Sequence, residues 1–501
     1  MFADLSLIGL LGLATIVTAA ILILNALRNL FLHPLSKFPG PKPWAASRVP
    51  YIVSLLKGNL VVDHAAIHQE YGPVVRVGPN ELSFTTVKAW EDIYVHRTGH
   101  VDPTKDPVWY KAPEDMPQNI VTALDSKTHS RMRKALAPSF TEGALRDQAP
   151  TIDRYASLLI SRLRDTVHSS LGSKAAIIDA VDWMSFFTVD IIGDLALGES
   201  FGCLENAELH PWVKTLNNFL RGMIYAATAR WYPLFETILM KMLPERVMEM
   251  QRQHTQFANE KINKRLGLDS QRKDFVTPFL EEKADMSLKE IQSNFAILIV
   301  AGADTTATAL SGTLLYLVKN TSKLEKLEQE IRSKFTSAEE ITVASTANLP
   351  YLGAVIDEGL RLSNPVPGGL PRVVPKGGDH YGGQFVPEGV SISVRPYAMA
   401  RSEENFKDAA SFIPERWLER ENGPYSGDKL AASQPFGIGH SNCLGRKLAW
   451  AEMRVVIARM MFEFDIEECA PEQDWIKLKT FMITDKGRIE IRLKLRDVPA
   501  A

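Results

Sequence analysis

The chain has 501 residues, of which 45% are hydrophobic, and its acidic and basic side chains nearly cancel to a formal net charge of −2. This length is sufficient for a large buried core, and without an internal repeat or a long Gly-, Ser- or Pro-rich linker a single large domain is compatible with it. The balanced, well-mixed charge argues against nucleic-acid binding as the main function.

The N-terminus predicts a membrane anchor. Residues 5–24 carry no charge, and a helix needs about 20 apolar residues to span a bilayer. A cleaved signal peptide is the alternative, but the run is long for one, and Asp4 precedes it where Lys or Arg would be expected.

Basic residues follow this run, at Arg28, Lys37 and Lys42. The positive-inside rule then places the rest of the chain in the cytosol. We predict an anchor over residues 1–28, a basic, Pro-rich hinge over residues 29–43 that acts as an extended, stiff spacer, and a body over residues 44–501.

The sequence pattern of the body predicts a mainly α fold with small β-sheets. Helical periodicity marks residues 151–171, 244–266 and 322–335, and short strand-like patterns mark residues 74–77, 390–394 and 488–493.

Residues 219–243 are rich in large apolar side chains. They predict either a buried helix broken near Pro233 or a surface that dips into a membrane near a substrate entrance.

Residues 287–319 predict one long helix. Ser287 and Glu290 have the spacing of a capping box, and most sides of the helix are apolar, so it should be buried. Its middle, residues 301–306, contains Asp304 and Thr305. This polar interruption indicates either an internally bonded patch or a local helix distortion, in which the carboxyl and hydroxyl deliver protons to a bound ligand.

A further helix is expected to begin at Pro350, with Asn348 as its cap. Glu358 and Arg361 lie on one face of it at i,i+3. Apolar neighbours suggest that the pair is buried, and a buried pair is best satisfied by a third partner. Arg416 is the candidate, with a structural role.

Three cysteines are present, Cys203, Cys443 and Cys469, and none forms a CxxC pair. Neither a structural zinc site nor a disulfide framework is indicated, and the sparse count is typical of a reducing compartment.

Cys443 is distinguished by its loop, residues 435–445, which leads directly into a helical pattern at residues 446–462. Two glycines before it permit a tight turn, and Gly445 permits the close approach of a flat, bulky group. The helix start favours a thiolate, and Phe436 can shield the sulfur. An inert core cysteine is the alternative for any lone Cys.

The same loop opens like the nucleophile elbow of a hydrolase, at Gly439 to Ser441. The position that should be the last glycine of that motif is Cys443, and no histidine follows His440 in the chain. Because this fold needs its catalytic His after the Ser, the hydrolase hypothesis is rejected.

Together these features resemble the cytochrome P-450 superfamily of haem-thiolate monooxygenases. The resemblance covers most of the chain and rests on the order and spacing of several motifs: the anchor and Pro-rich hinge, residues 129–133, 301–306, 358–361, 412–417 and 436–445. The finer pattern at residues 369–375 and 412–417 is similar to fungal microsomal members that oxidise secondary metabolites.

The resemblance implies a triangular prism of helices around a buried haem b, plus an N-terminal transmembrane helix. It implies that Cys443 is the axial iron ligand, that Asp304 and Thr305 deliver protons, and that the triad around Glu358 is structural. The haem contacts that it implies are His129, Arg133, Arg372, Phe436, Gly439, His440 and Gly445. The apolar substrate pocket is expected at Ala301, Val366, Leu370, Phe481 and Met482.

Two positions depart from the family pattern. His129 replaces the usual Trp, and Ser441 replaces the usual basic residue two positions before the cysteine, with His440 shifted by one. We therefore expect Arg133 and Arg372 to bind the haem propionates more strongly than His440 does.

The implied reaction inserts one oxygen atom from dioxygen into an apolar small molecule, by hydroxylation, epoxidation or a related oxidation. The chain shows no flavin or nicotinamide motif, so electrons are expected from NADPH through a separate flavoprotein reductase. Its docking face is expected at Arg131, Lys134, Arg446 and Lys447, which are otherwise an ordinary solvated surface.

The expected location is the endoplasmic reticulum membrane, with a single span, lipid contact and a cytosolic catalytic domain. Two alternatives remain: a haem-thiolate isomerase or dehydratase that uses no dioxygen, against which the intact Asp304 and Thr305 argue, and a haem-binding carrier without turnover.

Overall fold

The computed structural model describes residues 7–112, 116–170, 175–242, 245–268, 272–280, 285–418 and 421–496. Within them the fold is mainly helical with small sheets, as predicted. The helices are α1 (Leu7–Leu27), α2 (Lys42–Ala46), α3 (Val49–Leu56), α4 (Leu60–Tyr71), α5 (Val87–Tyr94), α6 (Pro107–Tyr110), α7 (Ser126–Leu136), α8 (Glu142–Ser169), α9 (Ala180–Leu197), α10 (Cys203–Asn206), α11 (Pro211–Arg230), α12 (Pro233–Met242), α13 (Glu245–Leu266), α14 (Thr277–Leu280), α15 (Leu288–Val318), α16 (Thr321–Lys334), α17 (Pro350–Leu362), α18 (Pro396–Ala400) and α19 (Arg446–Glu463). The strands are β1 (Val74–Gly78), β2 (Glu81–Phe84), β3 (Thr104–Lys105), β4 (Ala175–Asp179), β5 (Arg372–Val373), β6 (Asp379–Tyr381), β7 (Gln384–Val386), β8 (Ser391–Val394), β9 (Phe464–Glu468), β10 (Thr480–Phe481), β11 (Ile483–Thr484) and β12 (Glu490–Leu495).

The 31-residue helix α15 forms the centre of the body. Its predicted capping box is confirmed, because the Ser287 hydroxyl accepts from the Glu290 N–H and the Glu290 carboxylate accepts from the Ser287 N–H. The helix packs along α9, and both contribute to the largest hydrophobic core. The local distortion considered for residues 301–306 does not form, since α15 is continuous there.

A five-stranded sheet flanks the helical body, in the order β1-β2-β8-β5-β3. Strands β2 and β8 run parallel, and the other neighbours run antiparallel. The register of β3 and β5 places Lys105 directly opposite Arg372. A second, three-stranded sheet has the order β4-β12-β9. The predicted strands correspond to β1, β8 and β12, although β12 begins two residues later than expected.

The N-terminal helix is long and apolar enough to cross a membrane over Gly9–Leu32, and none of its apolar window is buried. Helix α15 passes the same test of length and composition, but more than half of its window lies inside the protein.

The segment after the anchor is not the extended spacer that its prolines predicted. Leu35 and Phe38 are buried in a hydrophobic cluster of the body. The guanidinium of Arg76 donates to the carbonyl of Asn29 (2.8 Å), and its backbone N–H donates to the carbonyl of Pro39 (2.8 Å). These contacts fix the segment against β1.

Two predicted helix starts are wrong. Helix α8 begins at Glu142 instead of residue 151, because the Thr141 side chain caps it and Pro150 is accommodated inside it. Asn348 does not cap α17, because it belongs to a preceding 3-10 turn. The carboxylate of Glu330, on α16, accepts the first N–H groups of α17 instead, those of Tyr351 and Leu352 (both 2.8 Å).

The other predicted helices agree with α13, α16 and α19 to within one residue. Pro244, which was expected in the first turn of α13, lies outside the described residues.

The apolar segment at residues 219–243 is interrupted just before Pro233, as predicted, giving α11 and α12. Its burial is mixed. Ile224 on α11 is 1% exposed, whereas Leu234 and Ile238 on α12 are 84% and 54% exposed. The interpretation as a wholly buried helix is therefore wrong for α12, and an exposed apolar face favours contact with a membrane or partner.

Candidate active site

Cys443 lies on a tight loop that two glycines shape. Its backbone N–H donates to the carbonyl of Phe436 (2.8 Å), which closes the loop. Gly437 and Gly439 have φ values of +67° and +72°, in the region that favours glycine. A Cβ on Gly439 would also meet the carbonyl oxygen of Tyr94 at 2.0 Å. The predicted tight turn is therefore present, and it requires glycine at residue 439.

The Cys443 side chain is accessible, and the end of its loop is open. A Cβ on Gly445 would contact only the Cys443 sulfur, at 4.0 Å. Helix α19 begins one residue later. This open approach is what a flat group lying against the sulfur requires.

The helix start lowers the pKa of the Cys443 thiol, as expected, but it is not the largest influence on that pKa. Desolvation by the surrounding protein raises the pKa of the Cys443 thiol, and this outweighs the Gly445 and Arg446 N–H groups and the Arg133 charge, which lower it. A metal ion reverses this balance, because a coordinating thiol is deprotonated outright. Cys203 differs, since it is buried and burial raises its thiol pKa to about 12.

A cluster of basic side chains lies beside this loop. Arg372 is 6% exposed, and its Nη1 atom is buried without a hydrogen-bond partner among the described residues. Burial and then the charge of Arg372 lower the pKa of Lys105 to about 7. Burial, followed by Lys105 and His440, lowers the pKa of His129 to about 4. The ammonium of Lys105 donates to the carbonyls of Ile120 and Val121 (both 2.8 Å), so the unpartnered nitrogen of Arg372 is the group in this cluster that is free to bind an anion.

Arg133 has a different environment from the one that the sequence predicted. Its guanidinium donates to the carbonyl of Asn442 (2.7 Å) and to the Asn442 side-chain oxygen. It therefore ties α7 to the cysteine loop. The His129 and His440 rings lie nearby, with their centroids 6.2 Å apart.

These residues fit a haem group. The accessible thiol suits an iron ligand, and the unpartnered Arg372 nitrogen suits a propionate, with Lys105 beside it. Sequence reasoning missed Lys105 and Asn442. Only the strand register brings Lys105 to Arg372, whereas Asn442 could have been found from its place next to Cys443.

The predicted proton-delivery pair lies on α15. The Thr305 hydroxyl donates to the carbonyl of Ala301 (2.5 Å), and Ala301 is exposed in the middle of the helix. The Asp304 carboxylate instead accepts from the ammonium of Lys486 (2.6 Å), which also donates to the Thr308 hydroxyl (2.8 Å). Thr305 is thus bonded within the helix, as one of the two interpretations held, whereas Asp304 is paired with a residue from outside it.

The predicted triad is assembled in the core. Arg361 donates to both carboxylate oxygens of Glu358 (2.8 and 2.7 Å), and Arg416 donates to one of them (3.1 Å). All three residues are at most 1% exposed. The Trp417 indole N–H (2.9 Å) and the Ile413 backbone N–H (2.8 Å) complete the carboxylate's partners.

The predicted pocket residues fall into two places besides Ala301. Leu370 packs on the cluster that contains the sheet residues, and Val366 is half-buried just before it in the loop. Phe481 and Met482 form the tip of the β10–β11 hairpin and pack on a separate cluster with Tyr51.

The four basic residues of the expected docking face are not equally available. Arg131 is paired with Glu290, and Lys447 with Glu142 (2.8 Å). The Arg446 guanidinium lies 5.8 Å from the ring centroid of Phe436.

Comparison with known proteins identifies the family. The Cytochrome P-450 family model matches residues 39–491. The chain is 40% identical to the trichothecene C-15 hydroxylase of Fusarium sporotrichioides, over 94% of this chain and 95% of that protein. It is 39% identical to the cytochrome P-450 monooxygenase lcsI of Purpureocillium lilacinum (96% and 94% covered) and 37% identical to the averantin hydroxylase of Dothistroma septosporum (93% and 88% covered). The chain belongs to the cytochrome P-450 family.

Proposed function

We propose that the protein is a monooxygenase of fungal secondary metabolism that inserts one oxygen atom into an apolar small molecule, with Cys443 as the iron ligand. Bound haem supplies the reductive activation of dioxygen, which no side chain provides. The observation that carries the proposal is the accessible thiol on a glycine-shaped loop, beside a buried arginine whose Nη1 atom has no partner among the described residues.

The chain's own residues position the cofactor and the substrate. Arg372 would pair with a propionate of the bound haem, with Lys105 beside it and His129 and His440 as neutral neighbours, since burial lowers the pKa of both imidazoles. Arg133 holds the cysteine loop through Asn442. Leu370, Val366 and the hairpin tip at residues 481–482 exclude water from the substrate.

Proton transfer is assigned to α15. Thr305 shares an accessible ridge with Ala301, so its hydroxyl can pass a proton toward the reacting ligand. Asp304 lies on the neighbouring ridge, where its carboxylate pairs with the ammonium of Lys486. Glu358, Arg361 and Arg416 act structurally.

The partners follow from the same assignment. Electrons come from NADPH through a separate flavoprotein reductase that docks on the basic face near Arg446 and Lys134. The apolar N-terminal helix anchors the protein in the endoplasmic reticulum membrane, and the exposed Leu234 and Ile238 of α12 rest on the lipid surface.

Isotope labelling separates this function from the two alternatives. With reductase, NADPH and 18O-labelled dioxygen, the product of a monooxygenase gains one labelled oxygen atom. An isomerase or dehydratase gives unlabelled product without consuming oxygen, and a carrier gives no product. The Thr305→Ala variant should keep consuming NADPH but release hydrogen peroxide in place of product. Unchanged coupling would remove Thr305 from the proton path.

A further inference from the structure

The loop over residues 364–370, called the pocket loop below, contains two predicted pocket residues and is held by a buried arginine. The guanidinium of Arg395 donates through Nη1 to the backbone carbonyl of Gly368 (2.6 Å). Gly368 lies between Val366 and Leu370 in the chain, and Arg395 is 3% exposed. A charged side chain from outside the loop therefore bonds to its middle.

The pocket loop also lies tightly against the end of strand β8. Gly369 has a φ of +88°, and a Cβ there would meet the carbonyl oxygen of Val394 at 2.2 Å. Arg395 follows Val394, and its backbone N–H donates to the carbonyl of Phe84 on β2 (3.0 Å). The backbone from which the Arg395 side chain extends is therefore fixed in the five-stranded sheet, directly beside the loop that its guanidinium holds.

The other bonds of the pocket loop are made by neutral groups. The Leu370 carbonyl, at the end of the loop, accepts from the Tyr94 hydroxyl (2.9 Å). The Pro367 carbonyl accepts a longer bond from a backbone N–H of α18 (3.3 Å). Arg395 supplies the charge-assisted bond, and bonds of that kind are shorter and stronger than neutral ones.

A single buried carboxylate binds Arg395 together with a second arginine. Glu81 is 2% exposed, its Oε1 atom lies 2.6 Å from Nη2 of Arg395, and its Oε2 atom accepts from Arg48. The Nε atom of Arg395 has no hydrogen-bond partner among the described residues. Glu81 and the carbonyl of Gly368 therefore determine where this guanidinium lies.

We propose that Arg395 is a positioning residue that sets the shape of the substrate pocket through the carbonyl of Gly368. This inference rests on the proposed function, in which Val366 and Leu370 line the pocket. When the guanidinium is removed, the carbonyl loses its charged donor and the loop shifts. The loop then offers less apolar contact to a large ligand, whereas a small ligand at the iron is not affected.

The test compares imidazole and 4-phenylimidazole, two ligands that bind haem iron through a ring nitrogen. Their affinities are measured on the haem-loaded protein from the shift of the Soret band, without reductase or substrate. In Arg395→Met the affinity for 4-phenylimidazole should fall by about four- to fifteenfold, the effect of losing roughly one or two methylene groups of apolar contact. The affinity for imidazole should stay unchanged, because this ligand is too small to reach the loop.

The matched control is Arg48→Met, because both arginines bond to the same carboxylate. Either change leaves Glu81 in a balanced pair with one guanidinium, so both variants should fold with similar unfolding temperatures. The Arg48 guanidinium lies 4.8 Å from the ring centroids of Tyr51 and Trp231 and has no bond to the pocket loop among the described residues. Its removal should leave the ratio of the two affinities unchanged. A merely structural role for Arg395 would move the two variants alike.

Leu370→Ala tests the pocket itself, because it removes a predicted pocket side chain and leaves Arg395 in place. It should also weaken 4-phenylimidazole relative to imidazole. If Arg395→Met does not retain haem, Arg395→Lys takes its place. Lysine keeps the charge beside Glu81 but lacks the planar fork that reaches two acceptors, so the ratio should fall in the same direction.

The inference is overturned if the Arg395 variant keeps the affinity ratio of the unmodified protein, or if Arg48→Met changes that ratio equally. If Leu370→Ala still lowers the ratio in that case, only the role of Arg395 is wrong. If Leu370→Ala leaves the ratio unchanged, the pocket assigned in the proposed function is wrong, and the role of Arg395 falls with it.

Discussion

Glu358 and Arg361, one turn apart on α17, form an ion pair in which the arginine donates to both carboxylate oxygens and neither side chain is exposed. Burial alone would raise the pKa of Glu358, but Arg361 and Arg416 together hold it below the ordinary value. Arg416 is further paired with Asp428. The result is a closed charge network that joins α17 to the segment preceding the cysteine loop.

Glu358→Ala should destabilise the protein strongly, because it leaves two buried guanidinium groups without their shared anion. Breaking a buried pair in this way costs about 3–5 kcal/mol. Thermal unfolding and haem content after expression measure the effect. The control is Lys214→Met, which removes an exposed pair with Glu208 and should not change the unfolding temperature. Equal behaviour of the two variants would contradict the structural role.

The buried carboxyl of Glu452 should give the protein an unusual dependence of stability on pH. Burial raises its pKa from 4.5 to about 8, although the Thr306 hydroxyl opposes this, and its Oε2 atom has no partner among the described residues. Between pH 4.5 and about pH 8 the Glu452 carboxyl is ionised in the unfolded chain but still protonated in the folded protein. Stability therefore falls as pH rises, by up to about 1.4 kcal/mol per unit, and the fall ends above pH 8.

Glu452→Gln removes this dependence. The unfolding temperature of this variant minus that of the unmodified protein should increase steadily from pH 5 to pH 8. Above pH 8 the difference should stay level. A constant difference across the whole range would mean that Glu452 ionises normally in the folded state.

Haem retention should depend most on Arg372. A lost hydrogen bond to a charged group costs about 1.5–3 kcal/mol, so Arg372→Ala should lose haem to apomyoglobin clearly faster. Arg133→Ala should also lose haem faster, because the cysteine loop loses its tie to α7. His440→Ala should cost less than either, and Arg492→Ala, at an exposed strand position, should cost nothing. Faster loss from His440→Ala than from Arg372→Ala would reverse this ranking.

Truncation tests where the anchor ends. Deleting residues 1–27 should leave a folded, haem-binding body with reduced membrane affinity. Deleting residues 1–37 should lower its unfolding temperature, because Leu35 is buried and Asn29 accepts a hydrogen bond from Arg76. Equal unfolding temperatures of the two truncated proteins would show that the segment contributes nothing to the fold.

Features set by neighbours in the chain were predictable from the sequence. The capping box at Ser287, the glycine turn before Cys443 and the Glu358–Arg361 pair all depend on residues within a few positions. Contacts between distant segments were not predictable. Glu330 replaces Asn348 at the start of α17 because α16 happens to pack there, and Lys486 reaches Asp304 only through the tertiary fold.

The net direction of the Cys443 pKa shift was also not predictable from the sequence. The N–H groups of Gly445 and Arg446 at the helix start lower the pKa of the Cys443 thiol, but desolvation by the surrounding protein raises it by more. Only the folded environment decides which effect is larger.

The most direct test of the account is the spectrum of the reduced carbon monoxide complex in three proteins. The unmodified protein should show the red-shifted Soret band of thiolate ligation. Cys443→Ser should lose that band together with all turnover, and Cys203→Ser should keep both. Loss of the band in Cys203→Ser with its retention in Cys443→Ser would contradict the assignment of Cys443 as the iron ligand.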